Sequence, residues 1–223
     1  MTFFFAELNI KHYLPNSVYF LIIRYMKLSI FIFAFILTSF SIHAENNSEL
    51  FEKHFNSNET KKLARLVNDF DKHIASNYGK SGDLVLAWQS FFRTLSSIET
   101  TSEIKEIIKL SKVAQDKMLK KVGKETLLKI WNIEQPSIGN SNKYIELKGL
   151  KYKSNYTEFL EDLVKNNELI RNYRNDIETA GDISPTSVAS LIYQQAKLDI
   201  SDADIRLFLT VHYLSLNKET LKL

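Results

Sequence analysis

The chain has 223 residues, 44% of them hydrophobic, with a formal net charge of +3 and no cysteine. The lack of cysteine excludes disulfides, a thiol nucleophile and a cysteine-linked lipid anchor, so stability must come from packing. Three of the 29 basic and one of the 26 acidic residues precede Glu45. The remainder is nearly neutral, and its overall charge therefore predicts no nucleic-acid partner.

The segment from Met26 to Ala44 has the composition of a secretory signal peptide. Met26 and Lys27 form a positive start, residues 28–40 form the apolar run, and Ala44 is a small residue at the predicted cleavage site. A helix needs ~20 apolar residues to cross about 30 Å of hydrocarbon, so this run is too short for a stable span. We therefore expect cleavage between Ala44 and Glu45, and a periplasmic or extracellular chain 45–223 without a transmembrane segment.

Residues 1–25 precede a signal peptide that has its own methionine. We interpret them as an upstream extension that results from a start codon assigned too early. The alternative is a long leader in which residues 18–23 join the later apolar run as one anchor helix. Arg24 and Lys27 would then lie near the middle of the span, where a cation costs ~2.5 kcal/mol or more.

After Ala44 the apolar residues recur at helical spacing almost throughout. This pattern predicts an all-α, single-domain bundle of about six or seven helices over residues 45–223. In chain order, Ser48 is expected to cap a short first helix, and Asn58 to cap a second that ends at Gly79. Asp83 is expected to cap a third helix, whose narrow apolar stripe is typical of helix packing.

The middle of the chain is predicted to form one long helix and one shorter helix. The spacing of Thr100 and Glu103 is that of a capping box and predicts one helix as far as about Val122. A shorter helix with Leu127, Leu128 and Trp131 follows. Residues 144–153 alternate as a strand does, but a lone strand pair is only marginally stable, so this stretch is predicted to be mostly irregular, with a small β-hairpin as the alternative.

The last third of the sequence predicts three helices. Asn155 and Glu158 have capping spacing and predict one long helix that ends at Gly181. Ser184 followed by Pro185 is typical of a helix start. The final helix, from about Ser201, is apolar on nearly every side, and we therefore expect it at the centre of the bundle.

The remaining histidines and acids give weak indications of chemistry. Asp69 and His73 lie one helical turn apart, but two ligands are too few for a zinc site, and we expect a surface ion pair. His212 lies in the apolar last helix and is predicted to be a hydrogen-bonded core residue. The three aspartates at 199, 202 and 204 lack the spacing of a calcium loop and are interpreted mainly as helix caps. No cofactor is predicted.

Basic residues are concentrated between 105 and 153, where the net charge is +7. Five lysines recur there at helical spacing and predict a basic stripe on a helix face: Lys105, Lys109, Lys112, Lys120 and Lys124. Such a stripe is either a solvated surface or a contact for an anionic partner. Trp88 and Trp131 could stack on sugars, but both occupy inward positions and are predicted to pack in the core.

The leading hypothesis for function is an exported, soluble, non-catalytic binding module whose partner is an unknown protein or envelope component. One alternative is a hydrolase whose site is assembled from distant residues. Another is a peripheral envelope protein that binds anionic surfaces through the lysine stripe. Catalytic motifs based on a nucleophile elbow, a phosphate loop or a histidine-glutamate metal helix do not occur in the sequence.

Overall fold

The computed structural model of the protein describes residues 48–79, 82–98, 103–134, 144–180, 183–216 and 220–222. Residues 47–223 form one compact unit. The upstream extension 1–25, the signal peptide 26–44, its cleavage site at Ala44 and Glu45, and Thr100 all lie outside the described residues. The signal peptide and its cleavage therefore stay predictions.

The described chain is mostly helical, as predicted, and within it the structure shows ten α-helices. The first five are α1 (Glu49–His54), α2 (Ser57–Tyr78), α3 (Leu84–Leu95), α4 (Ile104–Ile108) and α5 (Lys112–Val122). The second five are α6 (Lys124–Leu127), α7 (Asn155–Leu163), α8 (Glu168–Ala180), α9 (Pro185–Gln194) and α10 (Ala203–Leu216). Short 3-10 turns at Val164–Asn166 and Gln195–Lys197 extend α7 and α9.

Three of the predicted helix starts are confirmed by the side chains that cap them. The Ser48 hydroxyl accepts hydrogen bonds from the backbone N–H groups of the first turn of α1. Asp83 accepts from Leu86 N in α3, and Ser184 accepts from the first turn of α9, whose first residue is Pro185. Each cap satisfies a donor that the helix itself leaves without a partner.

Two other predicted caps, Asn58 and Asn155, are wrong, because an earlier residue in each case completes a reciprocal capping box. Asn56 Oδ1 accepts from Glu59 N at 3.0 Å, and Glu59 Oε2 accepts from Asn56 N at 3.0 Å. Ser154 caps α7 with Thr157 in the same way. Each box satisfies two backbone donors at the start of its helix.

The helix predicted from Thr100 to Val122 is broken into α4 and α5. Lys109 ends α4 in the left-handed conformation, with φ of 54°, and Ser111 Oγ then accepts from Ala114 N at 3.3 Å to begin α5. Side chains of α2 satisfy the last carbonyls of α4: His73 Nε2 donates to Ile108 O at 2.7 Å, and the Tyr78 hydroxyl donates to Ile107 O. The break is therefore stabilised by a neighbouring helix.

The single helix predicted from Asn155 to Gly181 is also divided. It leaves the α-helical path at the turn Val164–Asn166, and Asn167 Oδ1 accepts from Leu169 N at 3.1 Å to cap α8. These two breaks are the main reason why the described chain has ten helices and not the predicted six or seven.

A small antiparallel sheet accompanies the helices. Its order is β1 (Trp131–Glu134), β2 (Tyr144–Leu150) and β3 (Thr220–Lys222). The suggested hairpin near 144–153 therefore exists, but the partner of β2 is the segment from Trp131, which the sequence had placed in a helix. Trp131 is opposite Leu150, and a bulge follows at Asn132 and Ile133. The third strand provides the extra pairing that a two-stranded hairpin lacks.

Helix α10 is buried on every side, as the sequence predicts. All residues from Leu207 to Ser215 are buried, and α10 packs against α2 and β2. The Tyr213 ring meets the Phe91 ring edge-on at 5.0 Å between centroids, and Phe208 meets Tyr173 in the same way at 4.9 Å. None of the described helices is sufficiently long and apolar to span a membrane.

Candidate functional site

The five lysines of the predicted stripe do not share one helix face. All five are exposed. Lys105 lies on α4, Lys109 ends it, Lys112 and Lys120 lie on α5, and Lys124 begins α6 after Gly123. The common face was inferred from an unbroken helix, so the left-handed Lys109 and the turn at Gly123 remove its basis.

Asp69 and His73 have separate partners. Asp69 Oδ2 lies 2.6 Å from Lys121 Nζ, whereas His73 donates to the Ile108 carbonyl. The expected ion pair between Asp69 and His73 is therefore wrong. Among the described residues, no three potential ligands of His, Cys, Asp or Glu type lie close enough to hold a metal ion.

His212 is a core residue, as predicted. Its ring is fully buried, and Nδ1 lies 3.2 Å from the Tyr173 hydroxyl. Burial lowers the His212 pKa to about 3, so the ring is neutral at pH 7. Nε2 has no hydrogen-bond partner in the described structure. Next to it, the Tyr213 hydroxyl donates to Gln195 Oε1.

The acidic cluster near the start of α10 is structural. Asp202 Oδ1 accepts from Asp204 N at 2.8 Å, which is the predicted capping role. Asp199 Oδ1 accepts from the Ser201 hydroxyl at 2.6 Å and from Ser201 N at 2.9 Å, and these hydrogen bonds lower the Asp199 pKa. Asp204 accepts from the Ser48 hydroxyl and so connects α10 to the start of α1, while partial burial raises its pKa.

Both tryptophans are fully buried, as predicted, and each indole N–H has a partner. Trp131 Nε1 donates to Ser215 Oγ at 2.8 Å, and Trp88 Nε1 donates to Asp71 Oδ1 at 2.9 Å. Neither ring is available as a platform for sugar stacking. Buried indoles usually have such partners, because an unpaired donor in the core is unfavourable.

Asp71 belongs to a buried ion pair that the sequence analysis missed. Arg206 Nε lies 3.2 Å from Asp71 Oδ2, and the guanidinium also donates to the carbonyls of Ile200 and Ser201 at 2.7 and 2.8 Å. Burial raises the Asp71 pKa, although the Trp88 indole and the Arg206 charge act against this shift. The sequence did contain a sign that Asp71 is buried, because position 71 falls on the apolar face of α2 between Val67 and Ile74.

A second missed cluster lies between α1 and α7. Asp162 accepts from Lys165, from Lys53 and from His54 Nε2, the last at 2.8 Å. The Lys165, Lys53 and His54 hydrogen bonds hold the Asp162 pKa well below its usual range. Asn155 Nδ2 donates to the His54 carbonyl at 2.7 Å and joins the same two helices. The cluster thus holds together two helices that are distant in sequence, so its role is structural.

One surface near the base of the hairpin combines exposed apolar side chains with lysines. Leu128, which follows α6, is 37% exposed, and Tyr152, which follows β2, is 46% exposed. Contacts between the two segments bring them together, since Lys151 N donates to Ile130 O at 2.8 Å and Lys151 Nζ donates to Leu128 O at 3.2 Å. Lys153 Nζ lies 5.3 Å from the centre of the Tyr152 ring.

Lys124 completes this surface. It precedes Leu128 by four residues, and the backbone hydrogen bond from Leu128 N to Lys124 O measures 3.0 Å, so the two residues are neighbours one helical turn apart. The set Lys124, Leu128, Lys151, Tyr152 and Lys153 is called the Tyr152 patch below. None of its three lysines pairs with a carboxylate within the described parts of the chain. By contrast, neighbouring Lys129 pairs with Glu59 at 2.7 Å.

Comparison with known proteins does not extend this description. No family model, no curated protein and no solved structure matches the chain.

Proposed function

We propose that this chain is an exported, non-catalytic binding module of the periplasm or cell exterior, and that it contacts its partner through the Tyr152 patch. The observation that carries the proposal is the composition of that patch. Two large, partly apolar side chains are exposed beside three ammonium groups that no described carboxylate neutralises. Aromatic side chains in exposed clusters are typical of recognition surfaces.

The environment of the buried ionisable groups gives further support. A general acid or base must reach a substrate and needs a pKa near the working pH. Asp71 is bonded to Trp88 and Arg206, and Glu59 is bonded to Lys129 and to the backbone of Asn56. These carboxylates hold helices together, and a role in packing accounts for their contacts without any substrate.

The extracytoplasmic location is carried by the signal-peptide pattern that ends at Ala44. Its test is N-terminal sequencing of the protein that accumulates in the host envelope fraction. We expect Glu45 as the first residue. Recovery of a chain that begins at Met1 would contradict export with cleavage.

Site-specific photo-cross-linking in the host tests the binding surface. The cross-linking residue replaces Tyr152 in one variant and Tyr193 in the other, since Tyr193 is an exposed tyrosine on α9, 76% accessible to solvent, outside the patch. We expect protein or lipid adducts, identified by mass spectrometry, at position 152 and not at position 193. Equal labelling at both positions, or labelling at neither, would contradict the proposal.

A further inference from the structure

We infer that the Tyr152 patch docks on the anionic headgroups of a phospholipid surface. This inference depends on the proposed function and names the partner of the same surface. The opposite charges of lysine and of phosphate-bearing headgroups supply the attraction, and the exposed Leu128 and Tyr152 supply apolar contact at the lipid boundary.

The lysines of the patch lie close to its two apolar side chains. Lys124 and Leu128 lie one helical turn apart at α6, and Lys151 Nζ lies 3.2 Å from the Leu128 carbonyl oxygen. Lys153 follows Tyr152 directly and extends over its ring. The nearest carboxylate in sequence, Glu125, lies about 100° around the helix from Lys124. Two of the ammonium groups thus lie beside the apolar pair, and none of the three pairs with a described carboxylate.

Leu128 and Tyr152 are suited to the boundary between headgroups and acyl chains. A tyrosine ring has an apolar body and a polar hydroxyl, and tyrosine is enriched at membrane interfaces for this reason. Lysine stems can lie along apolar surface while their ammonium groups reach the phosphates. Shallow binding of this kind needs only a few inserted side chains when charge attraction contributes.

The backbone presents the patch rigidly. Ser154 Oγ donates to Lys151 O at 2.8 Å, and Thr157 Oγ1 accepts from Ser154 N at 2.8 Å, so both ends of the turn that holds Tyr152 are bonded. Lys153 lies in the left-handed region, with φ of 49°. Little backbone freedom is thus lost when the patch meets a surface, which favours binding.

Lipid fits these residues better than other anionic partners do. Nucleic-acid contacts favour arginine, which binds phosphate in a bidentate manner, and the patch has lysine only. A stable protein interface buries about 800 Å² on each partner, with a well-packed apolar core, whereas two partly exposed side chains offer much less. Lysines beside one or two apolar side chains are sufficient to bind a surface of anionic lipid headgroups.

Vesicle co-sedimentation tests the inference with the protein purified as it accumulates in its host. Vesicles contain phosphatidylglycerol with phosphatidylcholine, or phosphatidylcholine alone, at low and at high salt. We expect binding to the anionic vesicles only, and its loss at high salt. Changing Lys124, Lys151 and Lys153 together to Gln should reduce the partition coefficient on the order of 100-fold, at about fivefold for each lysine.

A matched control changes Lys105, Lys112 and Lys120 to Gln, which removes the same charge from exposed positions outside the patch. We expect less than about a threefold effect, since distant exposed charges are screened. Tyr152→Ser should weaken binding several-fold, whereas Tyr193→Ser should not. Equal losses for the two lysine triples, or equal binding to neutral vesicles, would overturn the inference.

The outcomes separate this inference from the proposed function. If anionic vesicles do not bind and the cross-linker at position 152 captures a protein, then lipid docking is wrong and the binding module stands. If vesicles do not bind and position 152 gives no adduct, both proposals are wrong.

Discussion

Replacement of Arg206 by methionine is the most direct test of how the core is held together. The substitution keeps an apolar stem of similar length and removes the guanidinium that faces Asp71. Both side chains of this pair are largely buried, with exposures of 14% for Arg206 and 10% for Asp71. Removal of one partner from a buried ion pair leaves the other as an uncompensated charge, which is strongly destabilising.

The magnitude follows from the contacts that are lost. An unpaired buried carboxylate costs about 3 to 5 kcal/mol at pH 7. The hydrogen bonds from Arg206 to Ile200 O and Ser201 O disappear as well, and each contributes ~1 kcal/mol. Because both side chains retain some exposure to water, we place the total near the lower limit, at about 3 kcal/mol.

This loss should depend on pH in a defined direction. Burial raises the pKa of Asp71 in the folded protein, so the folded state takes up this proton before the unfolded state does as the pH falls. A protonated Asp71 needs no cation beside it. The difference in unfolding free energy between the wild type and Arg206→Met should therefore be smaller at pH 4.5 than at pH 7.

Urea unfolding followed by circular dichroism, at both pH values, measures these differences. Arg171→Met is the matched control, because Arg171 is exposed on α8 and its loss should change stability by less than ~0.5 kcal/mol. Combining Asp71→Asn with Arg206→Met should abolish the pH dependence of the loss. A loss below about 1 kcal/mol at pH 7, or one that is equal at both pH values, would refute the reasoning.

Three further measurements test other parts of the structure. Phe208→Ala should cost about 3 to 5 kcal/mol of unfolding free energy, and Val113→Ala at an exposed site less than ~0.5 kcal/mol; similar losses would contradict a central α10. Lys153→Gly and Lys109→Gly should each stabilise the fold by ~0.5 kcal/mol, because glycine removes the strain of a left-handed backbone and this gain exceeds the lost contact with the tyrosine ring. Only Lys153→Gly should weaken vesicle binding. Because burial lowers the His212 pKa from 6.5 to about 3, stability should fall by up to ~1.4 kcal/mol per pH unit as the pH decreases between those values. His212→Gln should remove that pH dependence of stability. If the unfolding free energies of the wild type and His212→Gln change in parallel with pH, His212 is not its source.

Features that depend on residues close together in the sequence were predictable from it. The burial of α10 on every side followed from its composition, and the caps Ser48, Asp83 and Ser184 followed from local chemistry. The breaks within two long helices were not predictable in the same way. The last carbonyl groups of α4 accept hydrogen bonds from His73 and Tyr78. These two side chains lie on another helix and become neighbours of α4 only in the folded chain.

In the candidate site too, the local feature was predictable from the sequence and the contacts made by folding were not. Lys124 was identified from the sequence, but as part of a stripe that required an unbroken helix. Its actual neighbours are Lys151, Tyr152 and Lys153, which the hairpin brings back to the end of α6. The pairing of Trp131 with Leu150 determines this return, and β1 is too short for its alternation to be recognised as a strand.

Lys109 and Lys153 allow a structural explanation to be separated from a functional one. Both have left-handed backbones that glycine would adopt more easily, and both ammonium groups lie 5.3 Å from a tyrosine ring. At Lys109 that ring belongs to Tyr78, whose hydroxyl bonds to Ile107 O and holds two helices together. At Lys153 the ring belongs to the exposed Tyr152, for which no comparable structural bond is seen in the described chain. Tyr78 therefore has a structural role, whereas contact with an external partner supplies a reason for an exposed Tyr152 beside Lys153.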